Sequence, residues 1–486
     1  MYNILLIRTS ELYSGRDEIH GYYVPPIGIL YLASVLMPSN EGKYRVSVFD
    51  AGLETENFYE LETSLITNMK KLQPRIVGLS TISNEANLMH AIAEIIKRFS
   101  SEINVVAGGP YPTAFPERVL ADKNIDYAVI GEGEQVFPAL ADAIVSEMPA
   151  EDIAGIAYMK DDELKINDSP EYIADLNSLP FPAWDMIDFG RYSASNNMLG
   201  MLAEGTYAPI FTSRGCPYKC IYCHNIFGKK TRLRSARNVF EEIKLLTEKH
   251  GVKEFHIYDD IFNINKQRVT DICDLIVRNN LDIRIAFPNG LRGDILDKEV
   301  IQSLEEAGAY TLTFAVETAS ERLQKMIKKN VNLKKINEAI SLSAEAGLIN
   351  FGFFMLGFPT ETEDEMFETI KFARNSDLHF ANFFQVRPFP KTGLYALALQ
   401  NGYVPTDNFF DYNYHSYGIN CSGLPAKDFT DMCLYAYKRF YFHPKRILKM
   451  SKKIPLDMLY RNLAKICVII GWKRILEPYH LRFAKS

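Results

Sequence analysis

Short apolar runs rich in β-branched residues alternate with amphipathic stretches over residues 1–150. The apolar runs are Asn3–Ile7, Tyr44–Asp50, Arg75–Ser80, Asn104–Gly108 and Tyr127–Gly131. Helical spacing of apolar positions separates them, at Ile27–Met37, Phe58–Leu72, Asn87–Phe99 and Val136–Val145. Strands and helices that alternate in this way predict right-handed βαβ units, and therefore a doubly wound parallel sheet of five strands.

The same alternation returns over residues 206–400, with six candidate strands. These are Pro209–Arg214, Glu254–Asp259, Arg284–Pro288, Thr311–Glu317, Asn350–Leu356 and Asn382–Pro388. Amphipathic helices are predicted between them, for example at Val239–Lys249, Arg268–Asn279 and Leu333–Ala346. Six such units predict a partial (β/α)6 barrel, with its functional residues at the carboxyl ends of the strands.

Two segments do not follow this alternation. Residues 151–205 contain a predicted hairpin at Ile156–Lys165 and then Pro180 and Pro182, which indicates a connector. Residues 401–486 are helical in pattern but irregular. The chain is therefore predicted to be an α/β protein with a mainly helical C-terminal region.

The composition is that of an ordinary globular chain: 486 residues, 47% apolar and 23% charged. No apolar run reaches the roughly 18 residues needed to cross a bilayer, and the N-terminus has no signal-peptide pattern, so a cytoplasmic protein is expected. Seven cysteines are too few for a disulfide framework. Four of them stand apart among apolar neighbours and are expected to be buried structural thiols: Cys273, Cys421, Cys433 and Cys467.

The net charge of −6 conceals a basic C-terminus. Residues 438–486 contain 13 Lys/Arg and 2 Asp/Glu, so the rest of the chain sums to −17. One interpretation is a helical cap whose cations are solvated or paired with the acidic body. Another is docking on an anionic membrane surface, which would suit a lipid substrate. Nucleic acid is a weaker candidate, because the acidic body would repel phosphates.

The carboxyl ends of the first predicted strands are small, polar and glycine-rich. They read Asp50-Ala51-Gly52, Ser80-Thr81, Gly108-Gly109-Pro110 and Gly131-Glu132-Gly133-Glu134. Ligands of parallel sheets bind beyond these ends, and glycine permits close approach of a large ligand. The same residues are also typical of ordinary strand-to-helix turns.

Three cysteines lie within eight residues at the end of the first barrel strand. The spacing is Cys216, three residues, Cys220, two residues and Cys223. Thiolates hold iron–sulfur clusters, and three of them leave one iron of a 4Fe–4S cube open. The alternatives are a zinc site completed by His224, although zinc ligands usually come in two separated pairs, and three inert thiols.

This spacing after a strand resembles the radical SAM superfamily. The resemblance implies an oxygen-sensitive 4Fe–4S enzyme, active under anaerobic conditions, that cleaves S-adenosylmethionine (SAM) to a 5′-deoxyadenosyl radical. Cys216, Cys220 and Cys223 would hold the cluster, and the backbone of Tyr222 would contact the adenine.

The later barrel strands carry further residues that the resemblance assigns to SAM. Glu317, at the end of the fourth strand, would bind the SAM ribose or amino group. Gly357 and Pro359, after the fifth, would let the backbone approach the adenine. Asp259 and Asp260, after the second, stand where many members have a Gly-Gly-Glu-like motif, so which carboxylate meets SAM is left open.

Residues 1–150 resemble the flavodoxin- or Rossmann-like cobalamin domain of the cobalamin-dependent branch, and the segment 387–395 also resembles that branch. The resemblance covers about residues 1–400. Cobalamin contacts are expected at Asp50, Ala51, Ser80, Thr81, Gly108, Gly109, Pro110, Thr113, Glu132, Gly133 and Glu134. The motif that supplies a cobalt-binding histidine is missing, since only His20 and His90 lie in 1–150. Base-off cobalamin without a histidine ligand is therefore expected, with the loop 81–87 near the lower corrin face.

The function that the resemblance implies is methylation of an unactivated carbon through the 5′-deoxyadenosyl radical and methylcobalamin. The alternatives are oxidative cyclisation or another non-methylating rearrangement with the same cofactors, and a cobalamin sensor without catalysis. The expected partners are a small-molecule or lipid substrate and an external one-electron reductant of flavodoxin or ferredoxin type, with no nucleic acid.

Overall fold

The computed structural model describes residues 1–10, 24–37, 42–54, 57–168, 170–193, 206–224, 226–403 and 420–453. These residues form two compact units. The first contains the described residues of 1–217 and 225–253, and the second contains those of 218–224, 254–405 and 414–486. Among the described residues, no helix has both the length and the apolar character needed to cross a membrane.

The first unit is built on a seven-stranded sheet. Its strands are β1 (Tyr2–Arg8), β2 (Tyr44–Asp50), β3 (Ile76–Ser80), β4 (Asn104–Gly108), β5 (Tyr127–Val129), β6 (Ile156–Lys160) and β7 (Glu163–Ile166). The order is β2-β1-β3-β4-β5-β6-β7. The first five strands are parallel, as predicted. The predicted hairpin β6–β7 is confirmed, but it extends this sheet, because β6 pairs antiparallel with β5.

The described helices of the first unit are α1 (Ile27–Leu36), α2 (Ala51–Glu54), α3 (Phe58–Leu72), α4 (Ala86–Phe99), α5 (Pro110–Ala114), α6 (Pro116–Val119), α7 (Gly133–Val145), α8 (Phe189–Ser193) and α9 (Ala236–His250). Of these, α1, α3, α4 and α7 are the helices predicted between the strands of the sheet. One core cluster joins strand residues such as Leu6 and Val106 to Ile29 of α1 and Phe137 of α7. The central strands are buried on both faces, which explains their continuous apolar runs.

The first predicted barrel strand differs from the structure. Instead of one strand at Pro209–Arg214, there are β8 (Tyr207–Ile210) and a separate β9 (Ser213–Arg214). β9 pairs antiparallel with β10 (Arg232–Leu233), so a two-residue ladder follows the true strand. Apolar spacing alone could not show this break, since Phe211 and Thr212 continue the pattern.

The second unit repeats the strand–helix alternation. Its strands are β11 (Glu254–Ile257), β12 (Arg284–Ala286), β13 (Thr311–Glu317), β14 (Ile349–Leu356) and β15 (Phe380–Gln385). Its helices are α10 (Lys266–Arg278), α11 (Lys298–Glu306), α12 (Glu321–Met326), α13 (Leu333–Glu345), α14 (Glu363–Asn375), α15 (Gly393–Gln400), α16 (Ala426–Tyr441) and α17 (Pro444–Ser451). β11 is parallel to β12, and β13, β14 and β15 form a parallel sheet in that order. The helices α10 to α15 each begin after an Asn, Asp, Ser or Thr whose side chain accepts a backbone N–H of the first turn.

Helix α16 covers the outer side of strand β15. The hydroxyl of Tyr441 accepts the N–H of Ala381 at 3.0 Å and donates to its carbonyl at 2.9 Å. The hydroxyl of Tyr437 accepts the N–H of Phe383 at 3.2 Å. These tyrosines satisfy backbone groups that an edge strand would otherwise leave unpaired.

The described part of the basic C-terminus is bonded to the second unit. Arg446 donates to the carbonyls of Ala373, Arg374 and Ser376 at the end of α14, and Lys449 pairs with Asp377. The isolated cysteines Cys273 and Cys433 are buried as predicted, and Cys421 is half-buried. Cys467 and the rest of the basic C-terminus, from residue 454 on, lie outside the described residues.

Candidate cofactor sites

Cys216 follows directly on the ladder of β9 and β10. Its N–H donates to the carbonyl of Gly228 at 3.3 Å. Gly215 before it has φ +84°, and a Cβ there would lie 2.6 Å from the carbonyl oxygen of Lys230. A side chain at position 215 would therefore push apart the two segments that hold Cys216.

Cys220 and Cys223 belong to a short segment of the second unit that two backbone hydrogen bonds anchor. The N–H of Ile221 donates to the carbonyl of Ile327 at 3.0 Å, and the carbonyl of Ile221 accepts the N–H of Leu394 at 2.9 Å. Cys223 is exposed, and all three cysteines of the motif are free thiols. Among the described residues, no group of three or more His, Cys, Asp or Glu side chains is arranged as a metal site. The donor set itself, three free thiols, is the one that an iron–sulfur cluster requires.

Tyr222 and Glu317 meet at the end of β13, and Lys329 joins them. Lys329 Nζ lies 2.8 Å from Glu317 Oε1, and the hydroxyl of Tyr222 donates to the same oxygen at 3.2 Å. Burial raises the pKa of Tyr222 well above its usual value, and the nearby Glu317 carboxylate and the thiols of Cys220 and Cys223 raise it further. Glu317 has φ +68°, a left-handed conformation that side chains rarely adopt. The strained backbone turns its carboxylate toward the segment that carries the cysteines.

The remaining predicted SAM contacts are placed at strand ends as expected. Asp259 is 2% exposed, whereas Asp260 is exposed, so the two aspartates have different surroundings. Gly357 has φ +97°, and Pro359 is buried. The turn at Gly357 is held from inside by Glu361, whose Oε2 accepts the N–H of Gly357 at 2.5 Å and that of Phe358 at 2.9 Å.

A cavity of about 360 Å³ opens in the first unit at the carboxyl ends of the parallel strands. Its lining is mainly apolar and includes Leu6, Ile29 and Phe137. Seven of the predicted cobalamin contacts line it: Ser80, Gly108, Gly109, Pro110, Glu132, Gly133 and Glu134. A deep apolar cavity beside glycine-rich strand ends fits the insertion of a flat aromatic group of a large cofactor.

The other four predicted cobalamin contacts are not among the residues that line this cavity. Asp50 is buried and accepts hydrogen bonds from Ser10 at 3.0 Å and from Tyr192 at 3.1 Å. The hydroxyl of Thr81 lies 2.8 Å from that of Thr9, and the hydroxyl of Thr113 accepts the N–H of Gly131 at 3.0 Å. Ala51 begins helix α2 and is fully buried. The side chains of Asp50, Thr81 and Thr113 are therefore engaged in hydrogen bonds within the protein.

Four charged side chains are buried at the edge of the cavity. Glu132 pairs with Arg214 at 2.9 Å and with Arg232 at 2.7 Å, and Glu134 pairs with Arg214 at 2.5 Å. Burial alone would raise the pKa of Glu132, but hydrogen bonds from Arg232 and Arg214 hold it below its usual value. Sequence reasoning missed both arginines, although a cation directly before Gly215-Cys216 is a visible signal.

Two family profiles match this chain. That of the radical SAM superfamily matches residues 210–373, and that of the B12 binding domain matches residues 20–141. An uncharacterized methyltransferase of Pyrococcus horikoshii is 30% identical over 449 residues, which are 92% of this chain and 94% of that protein. The chain belongs to the cobalamin-dependent radical SAM family.

More distant relatives extend over most of the chain. The cytidylyl-2-hydroxyethylphosphonate methyltransferase of Streptomyces wedmorensis is 26% identical and covers 87% of this chain and 86% of its own length. An anaerobic magnesium-protoporphyrin IX monomethyl ester cyclase of Rubrivivax gelatinosus is 25% identical, and the match covers 89% of this chain and 76% of that protein. The fold resembles that of the radical SAM methyltransferase TsrM from Kitasatospora setae, with a TM-score of 0.68 at 18% identity, over 81% of this chain and 75% of TsrM.

Proposed function

We propose that this protein is a cobalamin-dependent radical SAM methylase that acts on an unactivated carbon. The observation that carries the proposal is the pairing of the free-thiol motif Cys216, Cys220 and Cys223 with a glycine-lined cavity in a B12-binding domain. The names of the Pyrococcus and Streptomyces relatives support methyl transfer.

When bound, a 4Fe–4S cluster would supply the electron that cleaves SAM, and cobalamin would carry the methyl group. Cys216, Cys220 and Cys223 would hold the cluster as thiolates. Glu317, paired with Lys329 at 2.8 Å, would bind the ribose or amino group of SAM. Gly357 would let the backbone approach the adenine. Its φ of +97° and the Phe429 ring, 2.7 Å from where a Cβ would stand, both require glycine at this position.

The cavity of the first unit would hold the aromatic base of the cofactor away from cobalt. His90 of this unit lies on helix α4, and its Nδ1 is 2.7 Å from Asp122 Oδ2. This hydrogen bond supports a structural role for His90. We therefore expect base-off cobalamin without a histidine ligand. The EPR spectrum of the bound cob(II)alamin tests this, because nitrogen superhyperfine splitting would show an axial nitrogen and refute it.

Product analysis of the anaerobically reconstituted protein tests the function. With an external one-electron reductant and the substrate, the methylase should form both 5′-deoxyadenosine and S-adenosylhomocysteine. The Rubrivivax relative favours a second candidate, a cyclase, which would form only 5′-deoxyadenosine. A sensor would form neither product, and that result would reject both enzymatic functions.

The cysteine assignment has a separate test. Cys220→Ala should lose iron and 5′-deoxyadenosine formation, whereas Cys421→Ala, which alters a thiol outside the motif, should retain both. Equal iron content in the two variants would contradict the assignment. Because free thiols persist in reducing compartments, we also propose a cytoplasmic location.

A further inference from the structure

The three cysteines of the motif lie in a loop whose two ends are joined by a very short ladder. In that ladder Arg214 stands directly opposite Arg232. Residues 215–231, which include all three cysteines, lie between these two arginines in the sequence. A ladder of two residues on each strand has little stability of its own, so other contacts must hold the ends of the loop together.

Glu132 provides those contacts. Its Oε1 accepts from Nη1 of Arg214 and from Nη1 of Arg232, both at 2.9 Å. Its Oε2 accepts from the same Arg232 nitrogen at 2.7 Å and from the N–H of Ile173 at 2.9 Å. A carboxylate has about four acceptor positions, and here all of them are used. No acceptor of Glu132 is left for an amide of cobalamin.

This arrangement is shielded from solvent. The side chains of Glu132, Glu134, Arg214 and Arg232 are each at most 8% exposed. Two cations and two anions balance, so loss of one leaves a buried charge without compensation. The guanidinium of Arg214 also lies 5.2 Å from the ring centre of Tyr31, which lines the cavity.

We propose that Glu132 is a positioning residue for the cluster loop: it binds Arg214 and Arg232 together at the base of the loop and so fixes Cys216. This inference rests on the proposed function only in that the loop holds the cluster. It assigns the Glu132 carboxylate to the base of the cluster loop, although Glu132 lies in the wall of the cavity together with Gly131 and Gly133. Glu134 supports the arrangement through its own bond to Arg214.

Glu132→Gln removes the charge and keeps the size of the side chain. The matched control is Glu102→Gln, which alters an exposed carboxylate of the same unit. Hydrogen exchange of metal-free, cobalamin-free protein is measured over residues 212–234. We expect exchange there to be about tenfold faster in Glu132→Gln than in the wild type or the control, because the ladder opens more often.

Two further readouts separate the cluster from cobalamin. In cobalamin-free reconstituted protein, Glu132→Gln should lower iron content and slow SAM cleavage by roughly 10–100-fold, the effect of a misplaced reactive group. Its affinity for cobalamin should stay within about threefold of the wild type, which also shows that the sheet is folded. Unchanged exchange and unchanged cobalamin-free cleavage with weakened cobalamin binding would overturn the proposal and make Glu132 a cobalamin contact.

If Glu132→Gln does not fold, Glu134→Gln replaces it, because this variant removes the negative charge of only one of the two carboxylates that pair with Arg214. It should accelerate exchange over 212–234 in the same direction but less, and no change would contradict the proposal. Failure of the proposed function can be distinguished from failure of the positioning role. A wild-type protein that cleaves no SAM would reject the proposed function, and hydrogen exchange would still test the positioning role.

Discussion

Glu361 should make the stability of the second unit depend on pH in the neutral range. Its side chain is almost completely buried, with the residue 2% exposed. Burial raises the pKa of Glu361 to about 8, although the N–H groups of Phe358 and Gly357 and the charge of Arg322 lower it. The nearby Glu365 raises it further. At pH 7 this residue is therefore a neutral acid that holds the turn after β14.

The sign and the size of the change in stability follow from the difference between the Glu361 pKa in the folded and in the unfolded chain. Between the ordinary glutamate pKa of 4.5 and about 8, the folded chain keeps a proton that the unfolded chain has released. The free energy of unfolding therefore falls as the pH rises through this window. At 1.36 kcal/mol per pKa unit, the full loss is about 5 kcal/mol.

Glu361→Gln isolates the effect, because an amide oxygen can still accept both N–H groups and does not ionise. We expect the two proteins to be equally stable within about 1 kcal/mol near pH 5, and the variant to be more stable by several kcal/mol near pH 8.5. Urea unfolding followed by circular dichroism on metal-free protein gives this difference at each pH. The contributions of the other titrating groups to the free energy of unfolding cancel in the difference between the two proteins. A difference that stays constant over this range would refute the reasoning.

Three further predictions concern single side chains. Tyr441→Phe removes both hydrogen bonds to the edge strand and should lower the free energy of unfolding by about 1–3 kcal/mol, whereas the exposed Tyr59→Phe should change it by less than about 0.5 kcal/mol. In the wild type the buried Arg234 lies 2.5 Å from Glu242, so Glu242→Ala removes the anion that compensates its charge. This should lower the free energy of unfolding in urea by about 3–5 kcal/mol, and a loss below about 1 kcal/mol would contradict the prediction. Glu317→Gln should raise the KM for SAM about tenfold in 5′-deoxyadenosine formation, the loss of about one charged hydrogen bond, and an unchanged KM would exclude a direct contact.

The fold could be predicted from the apolar pattern because the strands of both units are short, buried and separated by amphipathic helices. β1 to β4 lie within one or two residues of their predicted bounds. The predicted strand bounds are wrong where strand pairing depends on residues that are distant in the sequence. Residues 209–214 read as one strand, but the ladder of β9 and β10 depends on Arg232, which no local pattern reveals. The packing of α16 on β15 was likewise beyond sequence reasoning, because it depends on tyrosine hydroxyls 54 and 60 residues from their partners.

In the candidate site, too, motifs of adjacent residues could be recognised in the sequence, whereas contacts between distant residues could not. The cysteine spacing is local, so it is visible in the sequence. The segment Gly131-Glu132-Gly133-Glu134 is also local, and it led to the expectation that Glu132, Gly133 and Glu134 contact cobalamin. In the structure all four residues line the cavity, and the carboxylate of Glu132 also bonds Arg214 and Arg232, which lie 82 and 100 residues away. A buried carboxylate must find cations, and the charge of Arg214 beside an apolar strand is the matching signal. Charges inside apolar strands should therefore be considered in pairs before either is assigned to a ligand.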